Sequence, residues 1–167
     1  RRGAPAEPVD PLPSISNYFI GSDPSKWMTN VSQYSRVAYR GVYDKIDIVY
    51  QGSGAQLEYE FDLAPFANPG SIQIQYRGAT STKVTPSGDL CLDVGLAEIY
   101  YKKPVAFQSI NGTRVAVSCS YRLSRGGSVG FSVGQYDRSQ PLIIDPVLAF
   151  STYLGGNAPG TSAGFYN

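Results

Sequence analysis

Three carboxylates recur at every second position of Gln56-Leu57-Glu58-Tyr59-Glu60-Phe61-Asp62-Leu63. That spacing puts Glu58, Glu60 and Asp62 on one face of a strand and Leu57, Tyr59, Phe61 and Leu63 on the other. Such a row suggests a cation site or the acid pair of a glycosidase. A glycosidase pair, however, stands about 5 Å or about 6.5–9.5 Å apart across a sugar, in a cleft. Residues i and i+2 of one strand lie about 6.5–7 Å apart in a line on an open face. A calcium loop needs oxygens converging around a glycine turn, and none is written here. The row is therefore read as a solvated strand face that meets Arg or Lys across the sheet.

The remaining chemistry is sparse. The chain has no His. This removes Ser-His-Asp and Cys-His catalysis, His-ligated zinc and His-based pH switching. The expectation is a non-enzymatic protein with no catalytic residue, metal ligand or cofactor. Asp44, Asp47 and Asp137 fall in or near turns, where Asx side chains cap the backbone. Asp145 precedes Pro146 at a strand end. Lys102-Lys103 is too short for a polyanion site and suits a solvated edge.

Cys119 is in phase with Val115, Val117, Tyr121 and Leu123 and should point inward. Cys91 is out of phase with Leu90, Leu92 and Val94. Opposite parities disfavour a Cys91–Cys119 disulfide, although neighbouring strands or a bulge would permit one. Asn30-Val31-Ser32 and Asn111-Gly112-Thr113 are N-glycosylation sequons, so Asn30 and Asn111 are candidate acceptors. Tyr59, Tyr76 and Tyr121 are expected in the core. An exposed Tyr row would stack on sugars or fill a protein interface.

These residues need elements to position them. At 167 residues the chain is one ordinary domain with 42% hydrophobic and 16% charged residues. A net charge of +1 without a basic run argues against nucleic acid. No apolar stretch reaches membrane-spanning length. The 13 Tyr, 18 Gly and 12 Pro, against a single Met, lean towards the cell exterior.

Residues 1–16 read as a Pro-rich, flexible arm. Asp23-Pro24-Ser25-Lys26-Trp27 predicts one helical turn near residues 23–28, with Asp23 as N-cap and Trp27 anchoring it in the core. From Arg36 onward the pattern has period two. It predicts strands over 46–50, 57–63, 72–76, 89–94, 97–102, 104–110, 113–123, 129–133 and 142–156. Asn111-Gly112 is a type I′ hairpin signal. The prediction is an all-β fold: an antiparallel β-sandwich or barrel-like domain over residues 17–156, with about ten short strands. A Gly/Ser-rich tail, 157–167, follows.

Four motifs carry a resemblance: "NYFIGSDPSKWMTNV" at 17–31, "YRGVYDKIDIVYQGSGAQLEYEFDLAP" at 39–65, "KPVAFQSINGTRV" at 103–115, and "VGQYDRSQPLIIDPVLAFSTYLGG" at 133–156. In this order they resemble the bacterial domain of unknown function that precedes SBBP-type β-propeller repeats in large secreted proteins. The resemblance implies a bacterial, secreted or cell-surface location and a structural or adhesive setting. It implies no reaction and no catalytic residues. In that family the "STYLGG" segment opens the first propeller repeat, so a strand here is expected to lack its usual partner.

An apolar strand with unpaired edges recruits another strand. The leading expectation is therefore a self-associating subunit of a filament or surface assembly, using strand complementation between copies of itself. The candidate contacts are Val9, Leu12, Ile15 and Tyr18 near the N-terminus. In the last strand they are Val147, Leu148, Phe150, Tyr153 and Leu154, and in the tail Phe165 and Tyr166. The alternatives are a solitary adhesion or glycan-binding module, or the N-terminal interaction domain of a longer propeller protein.

Overall fold

The computed structural model describes residues 4–53 and 56–149. The fold is all-β and its sheets are antiparallel, as the alternation predicts. β1 (Ala6–Tyr18), β2 (Met28–Tyr43), β3 (Ile46–Ser53) and β4 (Gln56–Leu63) run as a meander. β5 (Ser81–Val84), β6 (Leu90–Asp93) and β7 (Glu98–Tyr101) make a second meander. β8 (Val105–Ile110) and β9 (Thr113–Val117) form a hairpin, as do β10 (Cys119–Leu123) and β11 (Val129–Val133). β12 (Leu142–Asp145) and β13 (Leu148–Ala149) follow.

β12 sits inside the largest sheet, whose order is β1-β2-β3-β4-β12-β8-β9. It pairs with β4 through Leu142–Leu63 and Ile144–Phe61, and with β8 through Ile143–Phe107 and Asp145–Val105. Buried Pro146 then turns the chain, and β13 joins the smaller sheet, ordered β13-β7-β6-β5. The layers share one core. Phe61, Leu63 and Ile144 pack with Leu90, Leu92, Tyr121 and Phe131, all buried. Phe61 and Phe131 meet edge to face at 5.6 Å.

The expectation of a partnerless last strand is corrected at its first half. Leu142–Asp145 closes its own sheet with hydrogen bonds on both edges. Residues 150–156 of that stretch lie outside the described residues. The expectation of a flexible arm is corrected too, because Ala6–Tyr18 is a strand paired along β2. At 13 and 16 residues, β1 and β2 are not short. The predicted strand over 72–76 is absent. A 3-10 turn at Pro69–Ser71, capped by Asn68, leads into a segment whose one ladder contact is Ile74 with Val129. Its alternation still marks burial: Ile72 is buried and Gln73, Gln75 and Arg77 are exposed.

Other turn chemistry is as expected. Asn111 and Gly112 take φ of 52° and 77° between Ile110 and Thr113, the geometry of a type I′ turn. Pro24–Lys26 is a 3-10 turn whose N-cap is Asp23.

The central placement of β12 predicts a large truncation cost. Ile144→Ala should destabilise the fold by about 2–5 kcal/mol in urea unfolding. A loss below about 0.5 kcal/mol, normal for surface positions, would contradict that placement.

Candidate interaction surface

The carboxylate row is a sheet face, not a cleft pair. Arg36 on β2 reaches across β3 to an ion pair with Glu60 on β4. Gln51 donates to Glu58 at 3.1 Å. Arg40 bridges Asp47 at 2.8 Å and Glu7 of β1 at 3.3 Å, and Arg36 also meets Asp10 at 3.4 Å. Two arginines thus tie the edge strand to β3 and β4. Their reach also accounts for a burial anomaly. Ala38 and Val49 pair on this outer face, yet both are buried. Both lie between the strands that these ion pairs span, where long side chains can cover apolar surface.

The face is drier than an open row. Burial pushes Glu60, Asp62 and Asp145 above the ordinary carboxylate range. Asp62 adds Coulomb repulsion at Glu60, and Glu58 does so at Asp145, while Arg36 pulls Glu60 and Asp62 down. Among the described residues no cluster of three or more His, Cys, Asp or Glu side chains is arranged to hold a metal ion.

β1 is the sheet edge, and its sequence guards it. Pro8, Pro11 and Pro13 have no N–H to offer a further strand. Asp10 takes φ of 55°, and the register shifts between Pro11 and Ile15. An incoming chain cannot build a regular ladder on such an edge.

Beyond the sheet the β1–β2 hairpin continues as a ribbon. β3 pairs with β2 only from Arg36 to Tyr43, whereas β1 follows β2 out to Met28. Among the described residues the outer part therefore has no third strand and no second layer. Yet it carries Ile15, Tyr18, Phe19, Ile20, Trp27, Met28 and Tyr34, all exposed, with Ile20 at 73%. Such a run of exposed apolar side chains marks an interaction site more often than chance decoration.

The ribbon tip is built, not frayed. Gly21, at φ of 79°, lets the chain turn. Asp23 accepts hydrogen bonds from Ser25 N–H at 3.0 Å and Ser25 Oγ at 2.7 Å. Lys26 stands 3.7 Å from the Asp23 carboxylate. Trp27 Nε1 donates to the Gly21 carbonyl at 3.1 Å, and its ring meets Phe19 edge-on at 5.2 Å. Trp27, expected in the core, is 39% exposed here. It anchors the tip.

At the ribbon's base the inner face of the large sheet runs past its cover. Along β4 the inward residues change from exposed Leu57, through half-buried Tyr59, to buried Phe61 and Leu63. Val37, Tyr39, Tyr50 and Leu57 there line an open cleft of about 270 Å³. Tyr39 and Tyr50 meet edge-on at 5.7 Å, and Tyr50 continues to Tyr59 at 5.8 Å.

Of the self-association candidates, Leu12, Ile15 and Tyr18 are exposed on the ribbon, and Val9 is half-buried beside Arg36. Val147 is half-buried, its carbonyl accepting from Lys102 N–H at 2.8 Å. Leu148 is in β13 opposite Tyr101. Phe150, Tyr153, Leu154, Phe165 and Tyr166 lie outside the described residues. Sequence reading missed Phe19, Ile20, Trp27 and Met28 as a unit. The available signal was two strand-like runs flanking a capped Gly21–Trp27 turn.

Tyr121 is buried, and Tyr59 and Tyr76 are half-buried against the core with hydroxyls 3.2 Å apart. Asn30 and Asn111 are both exposed. Cys91 and Cys119 are buried free thiols, so the admitted disulfide is corrected. The reason is the parity difference: Cys119 belongs to the core cluster, whereas Cys91 pairs with Lys83 and Tyr100 and is not part of it. Burial pushes the Cys119 thiol up to about 11.

Two predictions follow from this chemistry. A carboxyl whose pKa is raised by folding binds its proton more tightly in the folded chain. Its effect on stability is favourable as pH falls through the window above the ordinary range, and that advantage is lost on ionisation. Asp23, Asp89, Glu98 and Asp137 are held low by hydrogen bonds, first from Ser25, the Lys103 N–H, Tyr100 and Ser139 respectively, and act oppositely as they protonate. The melting temperature should therefore rise from pH 7 to about pH 5 and fall below about pH 4. Asp145→Asn should raise it at pH 7 and reduce the pH 7–5 difference; an unchanged difference would contradict the burial argument. In a thiol titration, both cysteines should resist reagent in the native protein and react only after unfolding. A Cys91–Cys119 crosslinked peptide would contradict this.

Comparison with known proteins adds a family but no activity. No curated protein and no solved structure matches the chain. A family model described as a domain of unknown function, DUF7948, matches residues 1–147, taking in the ribbon, both meanders and β12. The chain belongs to the DUF7948 family.

Proposed function

We propose that this protein is a non-enzymatic structural subunit of the cell exterior that associates with copies of itself. The β1–β2 ribbon carries the reading. A paired, capped and preorganised hairpin that holds Phe19, Ile20, Trp27 and Met28 in solvent has no role in its own core. It costs solubility unless those side chains are buried elsewhere. Rigid aromatic anchors lose little entropy on docking, which favours association.

The mode differs from strand complementation. Prolines and the bulge blunt the β1 edge, and Leu142–Asp145 is occupied on both sides. Contact through ribbon side chains remains. The Tyr39–Tyr50 pair favours a second reading, a module that stacks sugars on the half-buried tyrosines of the cleft.

Light scattering after size exclusion should show species heavier than the monomer, increasing with concentration. Phe19→Ser with Ile20→Asp should shift that association at least about tenfold to higher concentration. Its melting temperature should stay close to the wild type, because both residues lie outside the core. A strict monomer at every concentration would overturn the proposal.

A further inference from the structure

We infer that the ribbon tip of one molecule seats head to tail in the cleft of Val37, Tyr39, Tyr50 and Leu57 on a second copy, an inference that rests on the self-association reading above.

Reach selects a second copy. The tip at Tyr18–Met28 and the cleft at Val37 are nine residues apart along β2, about 30 Å of strand. A paired ribbon does not fold back over that distance, so a molecule's own tip does not fill its own cleft.

Charge agrees. The tip's Asp23 and Lys26 face each other. Trp27 Nε1 is already bonded to Gly21. Burying the tip therefore strands no charge and no indole donor. The receiving face is equally neutral. The register places Ala6, Pro8, Val37, Tyr39, Ile48, Tyr50, Tyr59 and Leu57 on it. The charged partners Arg36, Arg40, Asp47, Glu58 and Glu60 are on the opposite face.

A lipid surface fits less well, since Lys26 is turned to Asp23 and is the single Lys or Arg of residues 15–34. Because donor and acceptor patches differ, the contact is heterologous, so it propagates from copy to copy as an open filament, or closes into a ring where the rotation between copies allows.

The test uses two full-length variants, Ile20→Asp at the tip and Leu57→Asp in the cleft. Both positions are exposed, at 73% and 58%, and unchanged circular dichroism confirms the fold. Each variant alone should lose filament formation, with association weakened at least about tenfold. Mixed, they should form a 1:1 dimer and no longer species, because the tip variant retains a cleft and the cleft variant a tip. If Ile20→Asp blocks association and Leu57→Asp does not, the cleft assignment is overturned and the self-association reading stands. If neither variant alters an assembling wild type, the ribbon has no part and both fall. A wild-type monomer that co-sediments with phosphatidylcholine vesicles assigns the tip to lipid and overturns both.

Discussion

The seven-stranded sheet exists because Leu142–Asp145 inserts between β4 and β8. Without it, the β1–β4 meander and the β8–β9 hairpin share no hydrogen-bonded neighbour. Four residues therefore join the β1–β4 meander to the β8–β9 hairpin, and Leu142 and Ile144 among them belong to the core. Pro146 then carries the chain to the second layer, where Lys102 and Val147 bond and β13 meets β7. One short segment so closes both layers of the sandwich.

That closure ends before the sheet does. The second layer covers β4 from Phe61 and Leu63 but leaves Leu57 exposed. Among the described residues the same face stays open as a cleft at Tyr50, Tyr39 and Val37, which are half-buried. On the outer face, Arg36 and Arg40 bind β1 to β3 and β4, so the hairpin leaves the body on a fixed base. A fixed base, a capped tip and blunted edge hydrogen bonds give an element that engages partners by side chains. Fold and proposed function are linked at this point: what is missing from the core is displayed on the ribbon and in the cleft.

Local signals in the sequence were accurate where they concern one element. Alternation over 57–63 assigned both faces of β4, Asn111-Gly112 fixed its turn, and Asp23 capped the 3-10 turn. Parity separated the two cysteines. Signals failed where a neighbour decides. Four prolines in the first 13 residues suggested a free arm, yet an edge strand tolerates proline. Ile72, Ile74 and Tyr76 alternate like a strand but find one bridge. Trp27 looked like a core anchor because its hydrophobicity is visible in sequence and its distance from the core is not. The cleft was invisible for the same reason, as it depends on how far one layer overlaps another.

Trp27 is the only Trp in the chain and stands at the ribbon tip. Its emission across a dilution series tests most directly whether the tip is an association element. The account predicts a shift to shorter wavelength as concentration rises, in step with the growth of mass by light scattering. Growth of mass with unchanged Trp27 emission would place the contact elsewhere and contradict it.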